Sequence, residues 1–313
     1  MRRWKSFRNL ANSTLTMLSI LIPTYGFLPQ QLVIDLVWQL KQRSFNWEII
    51  VTEDASGKLE QIDCESINSI HPNVQCHILD QNLGRFAHRQ FLARSAKFSR
   101  LLFIDDDAVL PEDFILKYEP YISSKAAVFG GMTYADTMPT DTDRHLRWKV
   151  GKKKEQIPAR IRNEAPYARL QTCNFLIDKA VMLDLPSHKE ISGYGHEDTM
   201  MGYDLRYAFV EVLHIDNPIE HSYIELSDVF MEKTEEAVGN LARLIKAGKI
   251  DEDVTLYRVY TKLKKTGMHR VLKWYVYNNR IPLLARLFRA NPPLVLFDIY
   301  KLGILTKKLR KFV

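Results

Sequence analysis

RLLFIDDDAVLPEDF, residues 100–114, runs four apolar side chains, Leu101 to Ile104, directly into three aspartates. Neighbouring carboxylates repel one another and resist burial unless a positive group sits among them. The short apolar run reads as a buried strand and Pro111 opens the next helix, so the triplet falls at a strand's carboxyl end. Working outward, the same grammar recurs. TMLSILIPTY (16–25) is an apolar, β-branched run ending at Pro23. PQQLVIDLVWQLKQ (29–42) carries Leu32, Val33, Leu36, Val37 and Leu40 on a helical stripe. NWEIIVTEDASG (46–57) is a second strand that runs into acids. CHILDQNLG (76–84) offers a third, and RFAHRQFLARSAKF (85–98) a helix.

Strand and helix alternating through short connections is the pattern of right-handed βαβ units and a mainly parallel sheet. Ligands of such open sheets bind beyond the carboxyl ends of the strands. The residues there are Pro23-Thr24-Tyr25, Glu53-Asp54 and Asp105-Asp106-Asp107. Further on, LQTCNFLIDKAVMLDL (170–185) restores strand then helix. SGYGHEDTMMGYDLRYAF (192–209) places Glu197-Asp198 where a glycine-rich loop enters a helix, and VEVLHIDNPIEHSY (210–223) adds a strand ending near His221. Between 130 and 166 no apolar stripe is visible, and Arg147 to Arg162 hold seven Lys/Arg. That segment is predicted to be a mobile loop over the sheet edge, its cations facing an anionic ligand or solvent.

The bulk numbers suit this architecture. The 313 residues, 46% hydrophobic and 26% charged, are enough for one large α/β domain or two modest ones and exclude general disorder. Cys64, Cys76 and Cys173 make no disulfide framework, and the odd count fits a reducing compartment. Cys64, His71, Cys76 and His77 lack the paired C-x-x-C spacing of a zinc cluster. The basic, partly apolar N-terminus (1–26) resembles a secretion signal, but its apolar run is interrupted and no small-residue cleavage site follows; it reads better as a strand. No stretch reaches the length of a membrane-spanning helix.

Three constellations carry chemistry. Asp105 and Asp107 in a D-x-D arrangement lie on one side of an extended chain and suit Mg²⁺ or Mn²⁺ with a diphosphate. A polar strand end before a helix N-terminus would also favour acids. Glu197-Asp198 follows Gly193, Tyr194 and Gly195; a carboxylate there can act as a general base, or simply cap the helix. His221 could join carboxylates around Mn²⁺, with His196 and His214 competing for that role. Arg85 and Arg89, four residues apart, share a helix face near His88 and can meet a phosphate or the triplet; Arg94 is as readily a solvent-facing residue.

LSILIPTYG, EIIVTEDASG, NLGRFAHRQFLARSA, LLFIDDDAVLPEDF and GYGHEDTMMGYDL occur in the order and spacing of family 2 glycosyltransferases, and residues 15–235 resemble that family. The resemblance implies an α/β GT-A fold: a Rossmann-like, nucleotide-binding, mainly parallel sheet flanked by helices. It also implies inverting transfer of a sugar from a nucleotide-diphosphate donor, usually UDP-linked. Pro23, Thr24 and Tyr25 would line the nucleotide pocket and Asp54 would hold the uracil or its neighbourhood. Arg85, Arg89, Asp105 and Asp106 would serve the donor. Asp107 would contact Mn²⁺ or Mg²⁺, with Asp105 and His221 completing the metal site. Asp198, beside Glu197, would deprotonate the acceptor, held near Gly193, Tyr194 and Gly195. Glu53 departs from the pattern, standing where many relatives have a second aspartate, and the triplet offers two registers.

The rest of the chain differs in charge. From Leu241 to Val313 there are 17 Lys/Arg against 4 Asp/Glu. The expected division is a transferase domain over 1–240 and a basic, amphipathic helical extension over 241–313. Its aromatics (Trp274, Tyr275, Phe288, Phe297, Tyr300) interleaved with cations suit an anionic membrane surface. Packing against the first domain is an alternative, and no nucleic-acid module accompanies the charge, so no nucleic-acid partner is expected. The expected location is cytoplasmic, peripheral on the inner face of the cell membrane, with a glycan or lipid-linked acceptor. Two other readings compete with this one. A sugar-phosphate nucleotidyltransferase would need a basic glycine-rich loop after the first strand, whereas PTYGFLPQQ has one glycine and no cation. A catalytically silent membrane-bound module would tolerate loss of Asp107 or Asp198, and both are present.

Overall fold

The structure, a computed structural model, describes residues 17–310; Met1–Thr16, which hold most of the signal-like stretch, lie outside the described residues. In chain order the strands are β1 (Met17–Thr24), β2 (Asn46–Glu53), β3 (Val74–Ile78), β4 (Arg100–Ile104), β5 (Ala108–Val109), β6 (Ala127–Phe129), β7 (Met132–Thr133), β8 (Asn174–Asp178), β9 (Val212–His214) and β10 (Ile219–His221). The α-helices are α1 (Gln30–Leu40), α2 (Gln61–Asn68), α3 (Arg85–Ser95), α4 (Phe114–Tyr118), α5 (His145–Val150), α6 (Ala159–Arg162) and α7 (Lys179–Asp184). They continue with α8 (Glu197–Tyr207), α9 (Ser227–Lys246), α10 (Thr255–Lys265), α11 (Met268–Asn278), α12 (Arg280–Leu287) and α13 (Leu294–Arg310).

Seven strands form one sheet in the order β3-β2-β1-β4-β8-β6-β9. β1, β2, β3 and β4 pair in parallel, as do β6 and β9; β8 runs antiparallel to both neighbours. Both faces are covered, which is why the strands read as continuous apolar runs rather than alternations. Leu18, Ile20 and Ile22 pack with Leu36, Ile67 and Phe114 of α1, α2 and α4 on one face. Leu21, Leu101, Phe103 and Phe175 pack with Leu92, Met182 and Leu205 of α3, α7 and α8 on the other. The strand expected to run through to His221 is two: β9 closes the large sheet, and β10 leaves it to sit between β5 and β7.

Residues 130–166 are not a mobile loop. They contain β7, α5, a π-helical turn at Gly151–Glu155 and α6. Their cations are the packing. Arg162, 1% exposed, donates to the carbonyls of Phe129, Gly130, Ile157 and Ile215 and to His214 Nδ1, at 2.8–3.1 Å. Arg147 donates to the Tyr134 hydroxyl (2.7 Å) and Glu155 (3.0 Å), and Lys154 is paired with Asp298. A buried arginine registers as polar in any hydropathy pattern, which hid these helices. Arg162→Met is expected to cost roughly 3–5 kcal/mol, because it strands several buried acceptors at once. The check is a lowered midpoint of urea unfolding; an unchanged midpoint contradicts it.

The cysteine expectation is also corrected. Cys64 of α2 and Cys76 of β3, both fully buried where the helix packs on the strand, are joined as a disulfide, and Cys173 alone is free. That pairing also removes both thiols from a zinc cluster.

The C-terminal helices build a third core. Phe230, Val238 and Leu241 of α9 pack with Leu146 and Val150 of α5, Val276 of α11, Leu283 of α12, and Phe297, Tyr300 and Leu305 of α13. α9 runs straight through the expected division at 240/241. No described helix is long and apolar enough to cross a membrane.

Candidate active site

The carboxyl ends of β1, β2 and β4 converge as the βαβ reading requires. Glu53, fully buried, uses its carboxylate inside the fold: it accepts from the amides of Gly26 (2.8 Å) and Ser56 (3.1 Å) and so ties the β1–α1 turn to the end of β2. Gly26 has φ +73°, a conformation costly for any other residue. Asp54 accepts from the amides of Leu83 (2.7 Å) and Gly84 (2.9 Å), fixing the loop that enters α3. Thr24 is buried, with its hydroxyl turned to the Phe27 carbonyl, while Tyr25 is exposed at the rim.

The three aspartates separate by partner. Asp105 accepts from Arg89 Nη2 at 3.0 Å, and the same nitrogen donates to the Thr172 carbonyl at 3.2 Å. Asp106 faces β1; burial, then the flanking charges of Asp105 and Asp107, push its carboxyl up to about 7, while the Thr24 side chain and Tyr25 backbone pull it back. Asp107 Oδ2 lies 2.7 Å from His221 Nδ1. The small sheet makes that contact, since His221 pairs with Ala108 across β10 and β5, and Ser222 binds the Asp107 carbonyl through its hydroxyl at 2.7 Å.

The donor set can be tested against a divalent cation. Among the described residues no three His, Cys, Asp or Glu side chains converge, so the expected trio Asp105, Asp107 and His221 is not gathered: Asp105 is drawn to Arg89. Asp107 and His221 remain, one oxygen and one nitrogen donor, chemically suited to Mn²⁺ or Mg²⁺ with the remaining positions left to diphosphate and water. Of the competing histidines, His214 is spent on Arg162 and the Pro166 carbonyl, and His196 binds Thr199 (3.1 Å); burial drives both down to about 4.

The catalytic candidates stand in the first turn of α8. Asp198 Oδ1 accepts from the Thr172 hydroxyl at 2.6 Å. Burial, then the adjacent Glu197 charge, push Asp198 up to about 6; Thr172 and Arg89 act the other way. Glu197 Oε1 is 3.6 Å from Arg85, while its Oε2 is buried without a hydrogen-bond partner. Arg85 also lies 4.8 Å above the Tyr194 ring, with Lys233 5.3 Å from the same ring. Gly193 and Gly195, expected to let backbone approach an acceptor, approach α9 instead. A Cβ there would fall 1.8 Å from Glu236 Oε1 and 2.4 Å from Ala237 Cβ, and both have positive φ.

Two residues went unnoticed in the sequence. Thr172 joins Asp198 to Arg89 and hence to Asp105; only its place just before a strand edge could have flagged it. Asn240, fully buried on α9, donates to the carbonyls of Ser192 (3.2 Å), Tyr194 (2.9 Å) and Gly195 (2.9 Å), holding the loop that delivers Glu197-Asp198. A lone asparagine in a helix gives no sequence signal.

Residues 19–182, more than half of the chain, match the family described as Glycosyl transferase family 2. The chain belongs to that family. This glycosyltransferase shares its GT-A fold with mannosyl-3-phosphoglycerate synthase from Rubrobacter xylanophilus, at 14% identity and a TM-score of 0.51 over 75% of this chain and 76% of that one. Residues 1–349 of S. aureus TarS align over 95% and 93% of the two chains at 15% identity and a TM-score of 0.45. The mannosyltransferase PcManGT from Pyrobaculum calidifontis, solved with GDP-Man and Mn²⁺, aligns over 93% and 84% at 12% identity and a TM-score of 0.47. Among curated proteins no sequence matches significantly.

Proposed function

We propose that this glycosyltransferase moves a hexosyl group from a nucleotide-diphosphate donor, UDP-linked, to a hydroxyl of a glycan or lipid-linked saccharide, inverting the anomeric carbon. The observation that carries the reading is Asp198: a half-buried carboxylate raised to about 6, oriented by Thr172 and linked through Arg89 to Asp105. Such a group is ionised at neutral pH yet basic enough to take the acceptor's proton. A single displacement then needs no nucleophile on the protein, and inversion follows.

Asp107 and His221 would hold Mn²⁺ or Mg²⁺, which when bound neutralises charge growing on the departing diphosphate. Pro23, Thr24 and Tyr25, with Asp54, Asp106 and Arg85, would serve the nucleotide donor; Tyr194, between Gly193 and Gly195, would serve the acceptor. The division between the transferase domain and its basic extension would fall within α9, near residue 240. The enzyme would work as a peripheral protein on an anionic membrane.

The test is incubation with a panel of nucleotide sugars and Mn²⁺, following nucleotide release. Absence of metal-dependent turnover with every donor overturns the proposal. The rate is expected to rise as pH increases through about 6, because the base must lose its proton. Thr172→Val removes a hydrogen bond to the charged form, so the rising limb moves to higher pH. A limb unmoved in that variant contradicts the role given to Thr172.

A further inference from the structure

α11 has two apolar sides. Its inner side, with Val276 and His269 buried, is seated on α13: Gly303 allows so close an approach that a Cβ there would lie 2.6 Å from Val276 Cβ. Its outer side is apolar as well. At 100° per residue Met268, Val271, Trp274, Tyr275 and Tyr277 fall on one outward arc, and all are exposed, Trp274 at 64%. Ile281 at the start of α12 is 82% exposed. Internal packing accounts for one of these faces; among the described residues nothing covers the other.

The charge around it selects the partner. From Val254 to Phe297 the chain has nine Lys/Arg and not one Asp or Glu. Among the described residues only Arg280 of the nine forms an ion pair, with Glu235 at 2.7 Å. Beside α11 lies a cavity of about 150 Å³ whose lining includes Arg280, Lys307 and Lys308 together with Glu235. Lys307 Nζ is held 4.1 Å from the Tyr277 ring, and Glu235 is already engaged by Arg280 and the Tyr300 hydroxyl. A second copy of the chain on this face would set cation against cation. A nucleic acid would answer the charge but leave Val271 and Ile281 in water.

We propose that the outer face of α11, the start of α12 and the Arg280–Lys307–Lys308 cavity form a docking face for an anionic bilayer. The aromatic arc enters the headgroup–acyl boundary and the cavity takes a lipid phosphate. This gives a surface to the membrane partner of the proposed function and rests on that reading. It is distinct from a membrane span, and it positions the catalytic body through α13 and α9.

The experiment uses the full chain with phosphatidylcholine vesicles, with and without phosphatidylglycerol. Binding is expected only to the anionic vesicles, weakening with salt, with a blue shift of tryptophan emission that Trp274→Phe removes while binding persists. Trp274→Glu and the double variant Lys307→Glu/Lys308→Glu are each expected to weaken binding at least about tenfold, given the contribution of each cation near such a surface. Circular dichroism of each variant must match the parent; for any that does not, Val271→Glu is read in its place. Unchanged vesicle affinity in both charge variants overturns the docking face. So does tighter binding to single-stranded RNA than to vesicles, or binding of inorganic phosphate alone with none to vesicles. A dimer that Trp274→Glu dissociates, without vesicle binding, overturns it too. Donor turnover in vesicle-free solution reads the transferase separately: turnover without vesicle binding overturns the docking face alone, and vesicle binding without turnover overturns the transferase reading.

Discussion

Asp198→Asn is expected to lower kcat by about 10²–10⁴-fold while donor affinity stays near that of the parent, the range lost when a positioned general base is removed. Asparagine has the same shape and can still accept from the Thr172 hydroxyl, so the 2.6 Å contact and the entry of α8 persist. What disappears is the capacity to take a proton. Because burial already works against the Asp198 charge, the neutral side chain is no burden to the fold. Rates with saturating donor, together with nucleotide binding measured calorimetrically, separate the two effects. Transfer retained at the parent rate would remove Asp198 from the mechanism.

The second large effect is expected at Asp107. Asp107→Ala takes away the oxygen donor that faces His221 at 2.7 Å and leaves the histidine alone. Metal stabilisation of a departing diphosphate contributes several kcal/mol, so metal-dependent donor binding and turnover should fall on the order of 10²-fold or more. His221→Ala should act in the same direction. Asp105→Ala should differ in kind: it releases Arg89, whose Nη2 also donates to the Thr172 carbonyl, so its effect passes toward Asp198. Titration of nucleotide binding with Mn²⁺ distinguishes them. Metal dependence intact in Asp107→Ala and lost in Asp105→Ala would reverse the assignment.

Much of this site was legible because a parallel sheet writes its ligand edge into the sequence. Apolar runs ending in Pro23-Thr24, Glu53-Asp54 and Asp105–Asp107 have to present those residues together once the strands align in parallel. What those acids do there was less legible. Glu53 and Asp54 look alike as a pair, yet the structure spends Glu53 on the β1–α1 turn and Asp54 on the entry to α3. Gly193 and Gly195 read as backbone made accessible to a ligand. Their positive φ is real, but the close neighbour is α9. The helices at 145–162 were invisible because arginine, scored as polar, supplies their buried contacts.

By itself the sequence determined the strands β1 to β4 with the helices α1 and α3, the edge of the sheet at which acids gather and the basic character of the C-terminal helices. These follow from local periodicity and composition, which each segment carries independently. Only the tertiary structure decided how the three aspartates divide. Asp105 goes to Arg89, Asp106 turns to the end of β1, and Asp107 meets a histidine 114 residues away because β5 and β10 pair across a separate small sheet. Carboxylates adjacent in the chain are equivalent until partners from distant elements break the equivalence.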